Sequence, residues 1–319
     1  MTLPSLYKDY KKYLDMEKDP TKGHVDISHM NFIAPASLLP AISFAEKYSI
    51  EKYKTYNEET NTHLDKILGR SESNSNLLPL LDVNLEKNHE KRDGYLNKLK
   101  IDIRNLLFPA SPFPAGINYS YYGGTDTFPY VIGQIIDNIK QHSNAKRVYS
   151  YSQKYPNEGQ IDVGILDNGD TIPGKYEQAR DKFYNENDIN PYEVKNDCEA
   201  IFRSMNGIST KEIFKRSRLV RFAKSADDIL NSDALSFGIN SSIRLITEGL
   251  GGSFLIASRK GIFHMNNRIK QFEHSKDPFD GTFVCIRFNR EFLNPKQYQK
   301  IVYNYNKIND DDGKFNLVS

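Results

Sequence analysis

The sequence has little cysteine, little net charge and no long hydrophobic run, and each of these features excludes a class of protein. Cys198 and Cys285 are its only cysteines, which argues against a disulfide framework or a structural zinc site. The 43 lysine and arginine residues nearly balance the 41 acidic residues, so no overall field favours nucleic acid. No apolar run approaches about 18 residues, and Met1–Pro20 lacks an apolar signal segment. We therefore expect a soluble, cytoplasmic protein without a membrane partner.

The chain has enough apolar residues for a packed core and one marked break in its pattern. Apolar residues make up 38% of the sequence and aromatic residues 12%. Pro109–Gly116 contains three prolines and a glycine, which is typical of a domain boundary. We predict a smaller N-terminal α/β domain over residues 1–115, a second domain over residues 116–293, and a C-terminal helix with an acidic tail over residues 294–319.

Helix and strand patterns alternate in the second predicted domain. A helical pattern and two strand patterns are followed by a long polar segment, a second helix and two more strands. This order predicts an α+β fold with helices on one face of a mixed sheet. The segments are Pro129–His142, Arg147–Gln153, Ile161–Leu166, Gly174–Ser236, Gly238–Glu248, Ser253–Ser258 and Thr282–Arg287.

The first of these helices has a polar face beside its apolar stripe. Gln134, Asn138 and His142 follow one another at spacings of four residues, so their side chains share a face. An asparagine there can offer its carbonyl oxygen to Mg²⁺, which prefers hard oxygen ligands and retains several waters beside substrate phosphates. The simpler alternative is a helix whose polar face meets solvent.

The strand pattern Ile161–Leu166 runs into Asp167, and Asn168-Gly169 then permits a tight reversal. A carboxylate at a strand end can accept a hydrogen bond from the adenine amino group. The alternative is an ordinary Asx-Gly turn. Two further glycine motifs lie downstream. Gly238 precedes a helix whose free N–H groups could hold phosphate, and Gly281-Thr282 leads into the last strand.

In this order, the motifs resemble those of the GHKL ATPase superfamily, which includes DNA gyrase, gyrase-type heat-shock chaperones, histidine kinases and MutL. The resemblance covers roughly Tyr119–Arg290 and implies a Bergerat-type α/β sandwich. The N-box is resembled by Gln134–Asn138 and the first glycine box by Asp167–Pro173. The lid is resembled by Ala200–Lys211. The second glycine box is resembled by Gly238–Ser242 and the final Gly-Thr by Gly281-Thr282.

The resemblance implies a site for ATP and Mg²⁺. Asn138 would hold Mg²⁺, Asp167 would read adenine with Thr282 behind it, and Gly169 and Ile172 would line the base. The remaining nucleotide-binding residues would come from the lid and from the second glycine box: Ser209, Thr210, Gly238, Ile239 and Asn240.

Three positions depart from the superfamily pattern. Gln134 stands where the general base is usually glutamate, and an amide cannot accept a proton from water at neutral pH. Thr171 and Asn240 each stand where glycine is usual. The sequence therefore predicts Mg-ATP binding with slow or absent hydrolysis, as in a nucleotide-dependent switch that acts on a protein partner or within a homodimer.

Other interpretations remain open. The cationic segment Arg203–Lys224 could be a DNA recognition helix, a lid whose cations meet the triphosphate, or a solvated helix face. His24–Ala45 resembles the strand–turn–helix of STAS domains, although Ala34 and Pro35 stand at its acidic and phosphorylatable positions; a plain α/β domain is the alternative. The rival functions are a protein-serine kinase of the anti-sigma type, a nucleic-acid-binding regulator and a degenerate scaffold that binds nothing.

Overall fold

An antiparallel sheet lies at the centre of the structure, which is a computed structural model. The strands are β1 (Val25–Asp26), β2 (Tyr53–Lys54), β3 (Leu77–Asn84), β4 (Arg147–Tyr155), β5 (Gln160–Asp167), β6 (Ser253–Asn266) and β7 (Lys270–Asn289). The structure describes residues 5–74, 76–85, 92–107, 131–136, 138–139, 143–183, 190, 192–205, 242–243, 246–247, 251–266 and 269–289. Among these residues, one sheet has the order β3-β4-β5-β7-β6 with antiparallel neighbours, while β1 and β2 form a short parallel pair.

The helices begin at residues suited to a helix start. The helices are α1 (Leu6–Leu14), α2 (Pro35–Lys47), α3 (Glu58–Ile67), α4 (Arg92–Leu107), α5 (Ile172–Lys182) and α6 (Asp197–Met205), and residues 131–136 and 138 are also helical. The side chains of Ser5, Asn57 and Thr171 accept hydrogen bonds from the first turns of α1, α3 and α5. Such caps satisfy backbone N–H groups that have no partner within the helix.

One face of the sheet packs against the N-terminal helices. α1, α2 and α3 contribute Leu6, Leu39 and Leu64 to a core that also contains Tyr151 of β4 and Phe283 of β7. Helix α2 comes so close to β5 that a Cβ added to Gly164 would lie 2.6 Å from the side chain of Leu39.

The opposite face packs against a second set of helices. Its core includes apolar residues of α4, of the helical segment 131–139 and of α6, together with alternate residues of the central strands. Its members include Ile103, Ile135, Ile139, Ile165, Ile201, Ile256 and Val284. The sheet is therefore covered on both faces.

The structure confirms the α+β class and corrects two parts of the sequence prediction. The large sheet is antiparallel rather than mixed, because the strands of every neighbouring pair run in opposite directions. Helices cover both of its faces rather than one, because α1 and α2 close the face that the prediction left open.

The predicted boundary at 109–116 lies outside the described residues, and so do residues 294–319. The predicted N-terminal domain shows no separate core among the described residues. Its helices α1–α3 share a hydrophobic core with the central strands, and its strand β3 pairs with β4.

Two N-terminal elements were not predicted. The segment 57–76 is polar and its composition favours a loop, yet α3 forms there and is anchored by Thr60, Leu64 and Ile67. Strand β3 contains Pro79, which weakens a strand pattern because proline cannot donate a ladder hydrogen bond. Here β3 is an edge strand, and its pairing with β4 is irregular between Leu78 and Leu81, where a missing donor is tolerated.

Candidate functional site

The carboxylate of Asp167 lies at the end of β5, opposite Thr282 of β7. The two residues are paired across the sheet, and Asp167 is only 2% exposed. Its Oδ1 accepts a hydrogen bond from the Gly169 N–H at 3.0 Å. An ionised carboxylate only accepts hydrogen bonds, and it has about four lone-pair positions for them.

The hydroxyl group of Ser258 in β6 lies next to the hydroxyl group of Thr282, the residue paired with Asp167. Ser258 is paired with Thr282 in the sheet, and the two hydroxyl oxygens are 3.1 Å apart. The Ser258 hydroxyl donates to the Gly281 carbonyl at 3.1 Å and accepts from the Ile172 N–H at 2.9 Å. Ser258 thus ties the start of α5 to Gly281 and Thr282 of β7. The sequence predicted Ser258 only as the end of a strand, although a polar residue after an apolar run was a usable signal.

Two glycines allow backbone segments to meet at this site. A Cβ added to Gly169 would lie 1.9 Å from the carbonyl oxygen of Ser143, and one added to Gly281 would lie 1.9 Å from the carbonyl oxygen of Asp167. Gly281 also has a φ of +89°, a conformation that residues with a side chain rarely adopt. Both glycines of the predicted motifs are therefore required by the backbone.

The loop that follows Asp167 is fixed to the residues before β4. Asn168 Oδ1 accepts from the backbone N–H groups of Lys146 and Arg147 at 3.1 and 2.8 Å. Asn144 Nδ2 donates to Asp170 Oδ2 at 2.7 Å, and the Asp170 N–H bonds to the Ser143 carbonyl. The loop is consequently held in a defined conformation beside the end of the helical segment.

Thr171 explains one departure from the superfamily pattern. Its φ of −73° is ordinary for a residue with a side chain, and its Oγ1 accepts from the Gly174 N–H at 3.0 Å. At this position the chain needs a helix cap and no left-handed residue, so threonine suits it better than glycine. Ile172 is half-buried and packs at the junction of two apolar clusters.

Asp167, Thr282 and Ser258 project from the face of the sheet that packs against the helical segment 131–139. Side chains alternate along a strand, and residues two positions away in the same three strands, Ile165, Val284 and Ile256, belong to the core of that face. Gln134 and Asn138 are half-buried on this segment. The structure thus brings the two predicted groups of residues to the same layer.

Asn138 has unused hydrogen-bonding capacity. Its Nδ2 is inaccessible to solvent and has no hydrogen-bond partner among the described residues. Reversing the amide would place the oxygen there, and oxygen is the ligand that Mg²⁺ prefers. Within the described ranges, no group of three or more histidine, cysteine, aspartate or glutamate side chains could hold a metal. The Asn138 amide would supply the one protein oxygen that the predicted Mg²⁺ site includes.

Several predicted site residues cannot be placed. His142, Ser209, Thr210, Gly238, Ile239 and Asn240 lie outside the described residues.

The first residues of the predicted lid and of the cationic segment lie in a packed helix. Residues 200–205 belong to α6, where Ala200 and Ile201 are buried. Arg203 is only 6% exposed, and its guanidinium donates to Glu199 Oε1 at 2.6 and 3.1 Å. Arg203 therefore contributes to a packed helix and does not form part of an exposed DNA-binding face.

No family model, curated protein or solved structure matches the chain. In the part of the chain that the structure describes, no helix is long and apolar enough to cross a membrane. The resemblance to the GHKL superfamily stays a prediction.

Proposed function

We propose that this chain is a GHKL-like protein with a Bergerat-type nucleotide site, and that it binds Mg-ATP and hydrolyses it slowly or not at all. The observation that carries the proposal is the arrangement of Asp167, at the end of β5, beside Thr282 of β7 and Ser258 of β6 in three neighbouring strands. Gly169 and Gly281 let the adjoining backbone approach this arrangement closely.

The chemistry of this arrangement favours adenine over guanine. Asp167 accepts hydrogen bonds, and adenine presents an amino group at the position where guanine presents a carbonyl oxygen. Thr282 lies beside the carboxylate and can donate or accept through its hydroxyl. We therefore expect ATP and ADP to bind, and GTP to compete poorly with them.

The proposed phosphate end consists of Asn138 with Mg²⁺ and of residues outside the described ranges. Bound Mg²⁺ neutralises charge on the phosphates. Gln134 can orient a water molecule through its amide but cannot deprotonate it. A nucleotide that is held and slowly turned over suits a switch that acts on a protein partner or a second copy of the chain, with a cytoplasmic location.

The proposal is tested by titrating the purified chain with Mg-ATP in a calorimeter. Asp167→Asn keeps an oxygen for the Gly169 N–H but presents an NH₂ group where the adenine amino group needs an acceptor. Loss of a hydrogen bond to a charged group should weaken binding by about 10- to 100-fold. Asp181→Asn, the same change at an exposed position of α5, serves as the control.

Micromolar binding by the wild-type chain and by Asp181→Asn, together with weak binding by Asp167→Asn, would support the proposal. Equal affinities for ATP in all three proteins would show that Asp167 does not read the base. An absence of heat at two temperatures would leave the degenerate scaffold as the better interpretation.

A further inference from the structure

Arg259 occupies an unusual backbone position directly beside the candidate site. It follows Ser258 in β6, and the pairing of β6 with β7 shifts register on both sides of it. Its φ is +53°, in the left-handed region that non-glycine residues seldom occupy. Such a conformation persists only where surrounding contacts impose it, so the contacts of this side chain are informative.

The guanidinium of Arg259 joins two helices. Its Nε donates to Asp197 Oδ2 at 2.9 Å, and its Nη2 also bonds to Asp197. Its Nη1 donates to Glu177 Oε1 at 2.7 Å. Asp197 is the first residue of α6, and Glu177 lies within α5. A planar guanidinium can bond both carboxylates in a fixed geometry, which a lysine ammonium cannot reproduce.

Neighbouring backbone contacts strengthen this junction. Asp197 Oδ2 also accepts from the Lys260 N–H at 2.9 Å. A Cβ added to Gly261 would lie 2.9 Å from the backbone of Asp197 and 2.8 Å from Ile201, so α6 lies directly against the strand. Burial opposes ionisation of Asp197, but the hydrogen bonds from Arg259 and Lys260 outweigh this effect and lower the pKa of the carboxyl.

One of the two helices held by Arg259 begins beside the proposed base-reading residues, and the other precedes the predicted phosphate contacts in the sequence. Helix α5 begins at Ile172, whose N–H bonds to Ser258 at the base-reading end. Helix α6 ends at Met205 and leads along the chain into the segment that contains Ser209 and Thr210. A single side chain next to Ser258 thus connects the base-reading strands to the helix that precedes the predicted phosphate contacts.

We propose that Arg259 is a positioning residue that couples nucleotide occupancy at Asp167 and Thr282 to the position of α6. This role rests on the proposed function, and it requires that α6 responds to ATP through the Arg259–Asp197–Glu177 contacts. Removal of the guanidinium should lower the affinity for Mg-ATP and uncouple α6 from the nucleotide, although Arg259 itself does not touch the predicted base position.

The test combines calorimetric Mg-ATP titration with hydrogen exchange of the full-length chain. Arg259→Asn removes the guanidinium, and asparagine tolerates the left-handed backbone better than most residues. We expect affinity for Mg-ATP to fall by about five- to tenfold. In the wild-type chain ATP should slow amide exchange over Asp197–Met205, and in Arg259→Asn this slowing should be lost even at saturating ATP. Arg259→Lys should recover only part of both effects.

Arg180→Asn is the matched control, because Arg180 lies on α5 and pairs with the adjacent Asp181. A purely structural role for Arg259 would speed exchange of α6 with and without ATP but leave the affinity and the ATP-dependent difference intact. That result would overturn the positioning role while the proposed function stands. A wild-type chain that binds no Mg-ATP would overturn the proposed function and, with it, this role.

Discussion

At the scale of single residues, the candidate site depends on glycines, which have no side chain, as much as on residues with polar side chains. Gly169 and Gly281 allow carbonyl groups of Ser143 and Asp167 to approach positions that a Cβ would occupy. These close contacts fix the backbone on both sides of Asp167. The glycines therefore belong to the site although they carry no chemistry.

Gly281→Ala should destabilise the protein, because alanine must both adopt φ near +89° and displace the Asp167 carbonyl. A residue forced into such a conformation costs about 1–3 kcal/mol in unfolding free energy before the clash is counted. The control is Gly94→Ala in α4, where the added Cβ meets nothing within 4 Å. Gly94→Ala should be neutral or stabilise by about 0.5 kcal/mol. Urea unfolding of both variants measures the difference, and equal stabilities would contradict the close approach at Gly281.

Gln134→Glu should increase ATP turnover, since glutamate can accept the proton of the attacking water whereas an amide cannot. General-base catalysis contributes about 100-fold or more, so the rise should be measurable by phosphate release. Gln178→Glu, the same change at an exposed position of α5, is the control. A variant that binds Mg-ATP normally and shows no rise would indicate that another group, such as Asn240, prevents hydrolysis.

At the scale of elements, buried charges attach α1 to the sheet. Arg287 of β7 bonds to both carboxylate oxygens of Asp162 in β5, at 2.6 and 2.5 Å, and to Asp9 of α1 at 3.0 Å. Asp9 and Asp162 are fully buried, and Lys12 lies 3.1 Å from Asp9. Burial raises the pKa of Asp162, and the charge and hydrogen bonds of Arg287 oppose that rise.

Arg287→Met should lower the free energy of unfolding by about 3–5 kcal/mol, because it leaves two buried carboxylates without their shared cation. Lys47→Met is the matched control. Lys47 links α2 to Asp280 of β7 through an ion pair whose side chains are 51% and 59% exposed. An exposed pair of this kind contributes at most about 1 kcal/mol. Thermal or urea unfolding separates the two effects, and similar losses in both variants would contradict the network.

The loss of unfolding free energy caused by Arg287→Met should depend on pH. Without the guanidinium, burial should raise the pKa of Asp162 further, so the folded variant binds a proton that the unfolded chain still releases. Stability of this variant relative to the wild type should therefore increase as pH falls from about 7 towards about 5. A deficit that stays constant or grows over this range would show that Asp162 keeps its charge in the variant.

At the scale of the whole molecule, the N-terminal helices and the sheet form one hydrophobic core. Leu39 of α2 meets β5 at Gly164, and Tyr10 of α1 stacks on Phe283 of β7 with ring centroids 5.9 Å apart. The switch proposed for this protein therefore includes α1 and α2 as parts of its nucleotide-binding unit.

A fragment of residues 116–293 should fail to fold cooperatively. It lacks β3 and exposes the apolar face that α1 and α2 cover, including Tyr151 and Phe283. We expect strong binding of a hydrophobic dye and no sharp unfolding transition, while the full-length chain shows the reverse. A fragment that unfolds cooperatively would support the division into two domains that the sequence predicted.

The sequence by itself predicted several local elements. The alternation through Ile161–Leu166 into Asp167, followed by Asn168-Gly169, predicted a strand that ends in a tight reversal, because these signals depend on neighbours along the chain. It also predicted α2 and the helical character of residues 131–136.

Only the tertiary structure decided which faces of the sheet are covered and which distant residues meet. Ser258, Arg259 and Arg287 act through partners 24 to 278 positions away, such as Thr282, Asp197 and Asp9. No local pattern specifies such contacts, because strand register and helix docking follow from packing the entire apolar surface at once. The sequence therefore did not predict the antiparallel sheet, the helices on both of its faces or the contacts of Arg259.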